Sequence, residues 1–260
     1  MGAALDGFRA GVVLQLHLLW NRMPDSLFPL ITAPFFTITF LAIVGNADRP
    51  DLNDYAILAP VLISVWWLCL FEAGGMIFAD RWLGTLEAQV PTPASFPAII
   101  LGRILVVTLT GLLSFAEVLV VARLVFGITL DVYHPGAFAA TLVATGFAMA
   151  GTGVVMAALF VMARNSVTFA NSLSYPVYVL GGVLVPVSFL PDWIEPIAAA
   201  VFLSWSADLL RASVDSDPIS DFEFRLIIIL VLGGVGYAVG GLLIERLLRK
   251  ARSQGTLEQA

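Results

Sequence analysis

The chain has 260 residues, of which 59% are hydrophobic and only 12% charged, with a formal net charge of −6. A soluble domain carries about 25% charged residues, so a water-soluble globular protein is excluded, and the acidic balance leaves no basic patch for nucleic acid. The single cysteine, Cys69, excludes an intramolecular disulfide, and no His, Cys and carboxylate cluster has metal-ligand spacing.

In chain order, Leu5, Phe8, Val12, Leu16 and Leu19 recur at helical spacing, with Asp6, Arg9 and Gln15 between them. This pattern predicts an interfacial helix within residues 1–23, lying along the inner leaflet. Arg9, His17, Asn21 and Arg22 interrupt its apolar character, unlike the core of a cleavable signal peptide. Pro24 then allows a sharp turn into the membrane.

Six apolar spans are expected at Leu27–Val44, Tyr55–Ile77, Ala98–Phe126, Phe138–Met162, Val167–Phe189 and Phe224–Ile244. A crossing needs roughly 20 apolar residues. The runs are continuously apolar, whereas an outer-membrane barrel would alternate in polarity. The expected fold is therefore all-α: one polytopic transmembrane domain over residues 1–260.

Lys and Arg placement sets the orientation. With the N-terminus inside, nine basic residues (Arg9, Arg22, Arg81, Arg103, Arg164, Arg246, Arg249, Lys250 and Arg252) face the cytoplasm. Four (Arg49, Arg123, Arg211 and Arg225) lie on the other side. Both termini are thus expected in the cytoplasm, in a multi-pass protein of the inner (plasma) membrane. The segment 245–260 reads as a cytoplasmic tail against the inner leaflet.

Between the second and third spans lies a polar segment, 79–91. On a helical wheel Ala79, Trp82, Leu83, Leu86 and Val90 share one face, and Arg81, Gly84, Thr85, Ala88 and Gln89 the other. Asp80 suits an N-cap and Pro91 ends the helix. The pattern fits a docking helix or a plain surface connector. Beyond the fifth span, 186–211 carries Pro186, Pro191 and Trp193, then Ile197–Leu203, too short to cross, then Arg211. This reads as a re-entrant or interfacial element on the extracytoplasmic side.

Ionisable and polar residues inside spans are costly in lipid. Glu117 in the third span either lines a cavity or pairs with Arg123 or a hydroxyl or amide on another span, and pairing is the preferred reading. Glu72 is expected to pair with a basic residue near the cytoplasmic end of the second span. Asn171, Ser172 and Ser174 either join helices or line the path, with joining preferred. Glycines and alanines crowd the fourth and sixth spans, including Gly146, Gly151, Gly153, Gly233, Gly236 and Gly240. They permit close helix packing, expected within one subunit.

The run Arg81-Trp82-Leu83-Gly84-Thr85-Leu86-Glu87, followed by Pro91-Thr92-Pro93 and Gly102-Arg103, resembles ABC transporter permeases of the ABC type-2 exporter family. Members often read E-x-x-x-G-T-L-E, then T-P and G-R, between their second and third spans. A second stretch, Leu180 to Pro186, then Phe189-Leu190-Pro191-Asp192-Trp193, then Trp205 to Arg211, resembles the family's S-G-x-x-x-P, L-P-x-W and R pattern. It looks most like the drug-export, daunorubicin-type branch. Departures are Leu203-Ser204-Trp205 in place of an Asn-Pro, Gly181 where Ser is frequent, and Asp80 as the acidic residue four positions before Gly84.

The resemblance implies that Asp80, Arg81, Gly84, Thr85, Leu86, Glu87, Pro93 and Arg103 belong to an ATPase-coupling element. It implies a partner ABC ATPase that binds ATP and magnesium, with no cofactor in this chain, and a second permease copy or related permease. The chain has no Gly-x-x-x-x-Gly-Lys-Ser/Thr phosphate loop. It is therefore expected to transport, not to catalyse, with a drug-like or lipid-like amphiphile as substrate. Two other classes compete. A secondary transporter would often show inverted repeats, and an integral membrane enzyme would need a catalytic constellation at membrane depth.

Overall fold

The computed structural model describes residues 2–21, 23–47, 52–82, 96–162, 166–184 and 187–254. Among them the regular secondary structure is all helical, with no strand. The elements are α1 (Gly2–Asn21), α2 (Met23–Asn46), α3 (Asn53–Leu68), a π-turn (Cys69–Ala73) and α4 (Gly74–Trp82). They continue as α5 (Phe96–Phe126), α6 (Pro135–Met162), α7 (Ser166–Leu180), a 3-10 turn (Val187–Phe189), α8 (Glu195–Ala198), α9 (Phe202–Val214) and α10 (Phe222–Gln254). In hydrocarbon a helix satisfies its own backbone, which is why continuous apolar runs fold this way.

Four helices are long and apolar enough to cross a membrane: Asn53–Ile77, Pro97–Phe126, Pro135–Phe160 and Phe222–Leu247. They correspond to the second, third, fourth and sixth expected spans, and make this a multi-pass membrane protein. Within the first expected span the described apolar helix is the shorter Ile31–Asn46. The fifth expected span, Val167–Phe189, is cut short. Its helix, α7, ends at Leu180, and Gly182 adopts a left-handed φ of +63°. That conformation suits glycine and turns the chain out of the helix.

The helix α3 is the centre of the bundle. Every residue from Ala56 to Trp66 is buried, as expected of a helix that is apolar on all sides. The glycines of the fourth and sixth spans pack within the chain. A Cβ on Gly151 would lie 2.3 Å from the Gly233 carbonyl oxygen, and one on Gly240 would lie 2.7 Å from the Val155 nitrogen. Successive contacts advance together along both chains, so α6 and α10 run parallel and in backbone contact. Cys69 Sγ, 3.5 Å from Met149 O, and the Ala73–Gly153 contact show that α3–α4 runs parallel to α6 as well. The helix α5 runs the other way, because its first turns meet the end of α4. The contacts of α1 with the start of α5 put it at that same end, where α10 also finishes.

The short helix α9 caps the opposite end. Trp205 stacks edge-on against Phe224, Asp208 pairs with Arg225 at 3.6 Å, and the Ser213 carbonyl accepts from the His134 amide at 3.0 Å. Those partners sit in the first turns of α10 or just before α6.

Candidate functional site

The polar residues that matter most gather where α1, α4 and α5 meet. Arg103 lies about two turns into α5 and is 2% exposed, and Asp80 on α4 is 3% exposed. The Arg103 guanidinium donates through Nη1 to Asp80 Oδ2 and through Nε to Gln15 Oε1 at 3.0 Å. Gln15 on α1 is 5% exposed. A buried charge is tolerated only when paired and hydrogen-bonded, and here a single guanidinium ties three helices together.

The neighbouring residue completes the junction. A Cβ on Gly102 would lie 2.1 Å from the Phe8 carbonyl oxygen, and one on Gly11 would lie 2.1 Å from the Ile99 carbonyl oxygen. The backbones of α1 and α5 therefore touch where only glycine fits. The packed face of α1 is Gly7, Gly11 and Gln15, all buried. The apolar stripe that marked this helix in the sequence is more open: Leu5 is 53% and Leu16 52% exposed. The helix thus presents a small-residue face to the protein and leaves Leu5 and Leu16 exposed.

Of the residues expected in the docking element, Asp80 and Arg103 meet directly, and Arg81 lies in α4 with its side chain outside the described set. Gly84, Thr85, Leu86, Glu87 and Pro93 fall outside the described residues. The junction stands at the point where the chain enters this segment, at Trp82, and near where it returns, at Phe96.

A second polar cluster lies at the far end. The Arg211 guanidinium donates through Nη2 to the Gly182 carbonyl, and at 3.4 Å to that of Val183. Its Cζ lies 4.2 Å from the Tyr55 ring centroid, a cation–π contact. Arg211 thereby supplies donors to carbonyls of the turn after α7, whose own last carbonyls accept from Gly181, Gly182 and Val183. The two ends of the second sequence pattern, Gly181-Gly182 and Arg211, come together in space. Pro191 and Trp193 are exposed, Trp193 at 71%, and Pro186 lies outside the described residues.

Tyr55 stands between two cavities. One, of about 560 Å³, is apolar and lined by Phe40, Val44, Leu52, Val183 and Phe189 among others. The other, of about 570 Å³, is polar and includes Asp54, Asp208, Arg211, Asp215 and Arg225.

The intramembrane candidates separate. Ser174 is buried but donates to the Ala170 carbonyl at 2.9 Å, and Ser172 donates to that of Thr168 at 2.9 Å, so both hydroxyl protons stay within α7. Asn171 is exposed. Glu72 is half-buried in the π-turn. Glu117 forms no ion pair with Arg123, which is exposed, and its Oε2 is buried without a hydrogen-bond partner. Among the described residues no group of His, Cys, Asp and Glu could hold a metal ion. The sequence reading missed Gln15, Gly11 and Tyr55. Gln15 and Gly11 share the i, i+4 spacing of one helix face, a signal outweighed by the more visible leucine stripe.

Long apolar helices, a backbone-tight bundle and polar junctions at both ends define a polytopic helical membrane protein. A family model described as ABC-2 type transporter matches residues 13–214, well over half of the chain. The chain belongs to the ABC-2 type transporter family and is its permease, a transport component. The match includes Gln15, Asp80, Arg103 and Arg211. No curated protein matches the chain closely enough to count as a relative.

Proposed function

We propose that this permease is the membrane half of an ATP-driven exporter. A separate ABC ATPase binds ATP and magnesium and docks on the segment 79–91, on the cytoplasmic side. Both termini share that side, the chain crosses the inner (plasma) membrane six times, and a second copy or a related permease completes the pore. The cargo is a drug-like or lipid-like amphiphile.

One observation carries this reading. The buried Gln15–Arg103–Asp80 junction lies at the root of segment 83–95, so a push on that segment is delivered to α1, α4 and α5 together. Closure of the ATPase pair then biases a two-state arrangement of the helices. The basic residues at the Asp80 end support the orientation.

The test is reconstitution. The purified chain alone should hydrolyse no ATP, and Glu87→Arg should abolish ATP-stimulated export and ATPase association. Normal docking and export in Glu87→Arg would remove the coupling assignment. Transport that survives ATP depletion and collapses with an ionophore would return the protein to the gradient-driven class.

A further inference from the structure

Two cavities meet at Tyr55, at the end of the bundle capped by α9. The apolar one has a volume of about 560 Å³, within the range of roughly 300–1,000 Å³ that small-molecule pockets take. Three separate parts of the chain build it: Phe40 and Val44 of α2, Ala56 and Ala59 of α3, and Val183 and Phe189 from the turns after α7. Leu52, Tyr55, Ala56 and Ala59 follow the i, i+3, i+4, i+7 spacing of one helix face. Elsewhere α3 is filled out by large buried side chains such as Ile57, Leu58 and Leu62, and protein interiors normally keep few voids. Two alanines on the cavity face leave the space open. Phe189 is 77% and Leu184 44% exposed, so its outer wall is apolar surface still free to meet a ligand.

The polar cavity, of about 570 Å³, holds three carboxylates against two guanidinium groups: Asp54, Asp208 and Asp215, with Arg211 and Arg225. Both cations are already engaged. Arg225 pairs with Asp208 at 3.6 Å, and Arg211 is taken up by the Gly182 and Val183 carbonyls and the Tyr55 ring. Among the described residues no ion pair reaches Asp54 or Asp215. The cavity keeps an excess of negative charge, which disfavours an anion. Tyr55 and Tyr133 add two aromatic rings to its lining. Unpaired carboxylates beside aromatic rings suit an organic cation, drawn by charge and by the ring faces. A metal ion fits less well, because among the described residues no group of His, Cys, Asp and Glu could hold one.

The two cavities are also held together. Tyr55 lines both, and Arg211, in the wall of the polar one, donates to the carbonyl of Val183, in the wall of the apolar one. An apolar compartment therefore adjoins an acidic, aromatic one across a single side chain.

We propose that the paired cavities are one binding site for an amphiphile with an organic ammonium head. Its apolar body lies between Phe40, Ala59 and Phe189, and its ammonium beside Asp54, Asp215 and the Tyr55 and Tyr133 rings. An exported amphiphile and an amine-bearing lipid of the bilayer share this chemistry. The inference narrows the cargo class of the exporter reading above and rests on that reading for the ligand's transport, though not for its binding.

Binding to the purified chain in nonionic detergent tests it, with two probes that share one fluorescent body. Dansylcadaverine ends in an ammonium and dansylaminocaproic acid in a carboxylate. The cation should bind saturably and about tenfold or more tightly than the anion. Asp54→Asn/Asp215→Asn should weaken the cation about tenfold and bring the two probes together. Phe189→Ala, at an exposed position, should weaken both probes and leave Tm unchanged. Equal binding of the two probes, or a double variant that binds the cation as before, would overturn the proposal. So would Phe189→Ala without effect on either probe. Export in proteoliposomes with the ATPase then separates the sources. Loss of dansylcadaverine export in the double variant makes the ligand cargo. Unchanged export alongside lost binding makes it a lipid amine, which phosphatidylethanolamine should displace in the binding assay. Both results keep the site. If ATP drives no export at all, the exporter reading fails instead, and the binding measurement still decides the site.

Discussion

Asp80 and Arg103 form an ion pair whose side chains are only 5% and 3% exposed, and it is the connection between the end of α4 and the start of α5. Gln15 from α1 occupies the guanidinium's Nε at 3.0 Å. A buried pair is weak evidence for stability, because desolvation offsets much of the attraction. Its value lies in geometry: the rigid guanidinium fork fixes the mutual position of three helices.

The ion pair should therefore behave asymmetrically under mutation. Asp80→Leu leaves a buried guanidinium uncompensated and should cost about 3–5 kcal/mol. The double change Asp80→Leu/Arg103→Leu should recover most of that loss. Melting of the three proteins in one detergent decides it, and a double variant no better than the single one would contradict this account.

At the α1–α5 crossing, Gly102→Ala places a methyl group 2.1 Å from the Phe8 carbonyl oxygen. Backbone cannot yield as a side chain does, so α1 must lift. Overpacking of this kind costs about 1–3 kcal/mol or more. Limited proteolysis should cut within α1 in Gly102→Ala and spare Gly45→Ala, where a Cβ meets nothing within 4 Å.

The glycines of α10 should divide into two groups. Gly233 and Gly236 face α6 at backbone distance, while Gly234 and Gly241 have nothing within 4 Å. Gly234→Ala should be neutral or stabilising by about 0.5–1 kcal/mol, since alanine favours the helix. Gly236→Ala should destabilise and separate α6 from α10. Equal melting temperatures for the two variants would disprove the close crossing.

Much of the fold was legible because hydropathy and length alone mark a buried helix. Tyr55–Ile77, Ala98–Phe126, Phe138–Met162 and Phe224–Ile244 each fall on a long apolar helix. The end of α7 was not legible. Val183, Leu184 and Val187 continue the apolar run, so composition cannot see that Gly182 turns the chain. The carbonyls released there are met by Arg211, whose position is fixed by tertiary packing. The packed face of α1 was not legible for a related reason: apolar periodicity picks out large residues, whereas the tightest helix contact uses the smallest. Glu117 shows the same limit, because pairing depends on what stands opposite, and sequence spacing within α5 does not tell.

The far-end clamp yields its own expectation. Arg211→Lys keeps the charge but loses the planar donors that reach the Gly182 and Val183 carbonyls over the Tyr55 ring. Arg211→Met, losing hydrogen bonds from a charged group, should cost about 1.5–3 kcal/mol. Lysine should rescue little of it, in melting and in export alike. Full rescue by lysine would mean that charge rather than geometry holds this end.

The central claim is that the Gln15–Arg103–Asp80 junction carries motion from the 83–95 segment into the membrane helices. Its most direct test is the ratio of a fluorescent amphiphile exported to ATP hydrolysed, in proteoliposomes holding permease and ATPase. Gln15→Leu is the informative variant, since it spares the ion pair and removes only the link to α1. The account predicts ATP hydrolysis near the wild-type rate with a clearly lower export ratio. An unchanged ratio in a folded Gln15→Leu protein would contradict it.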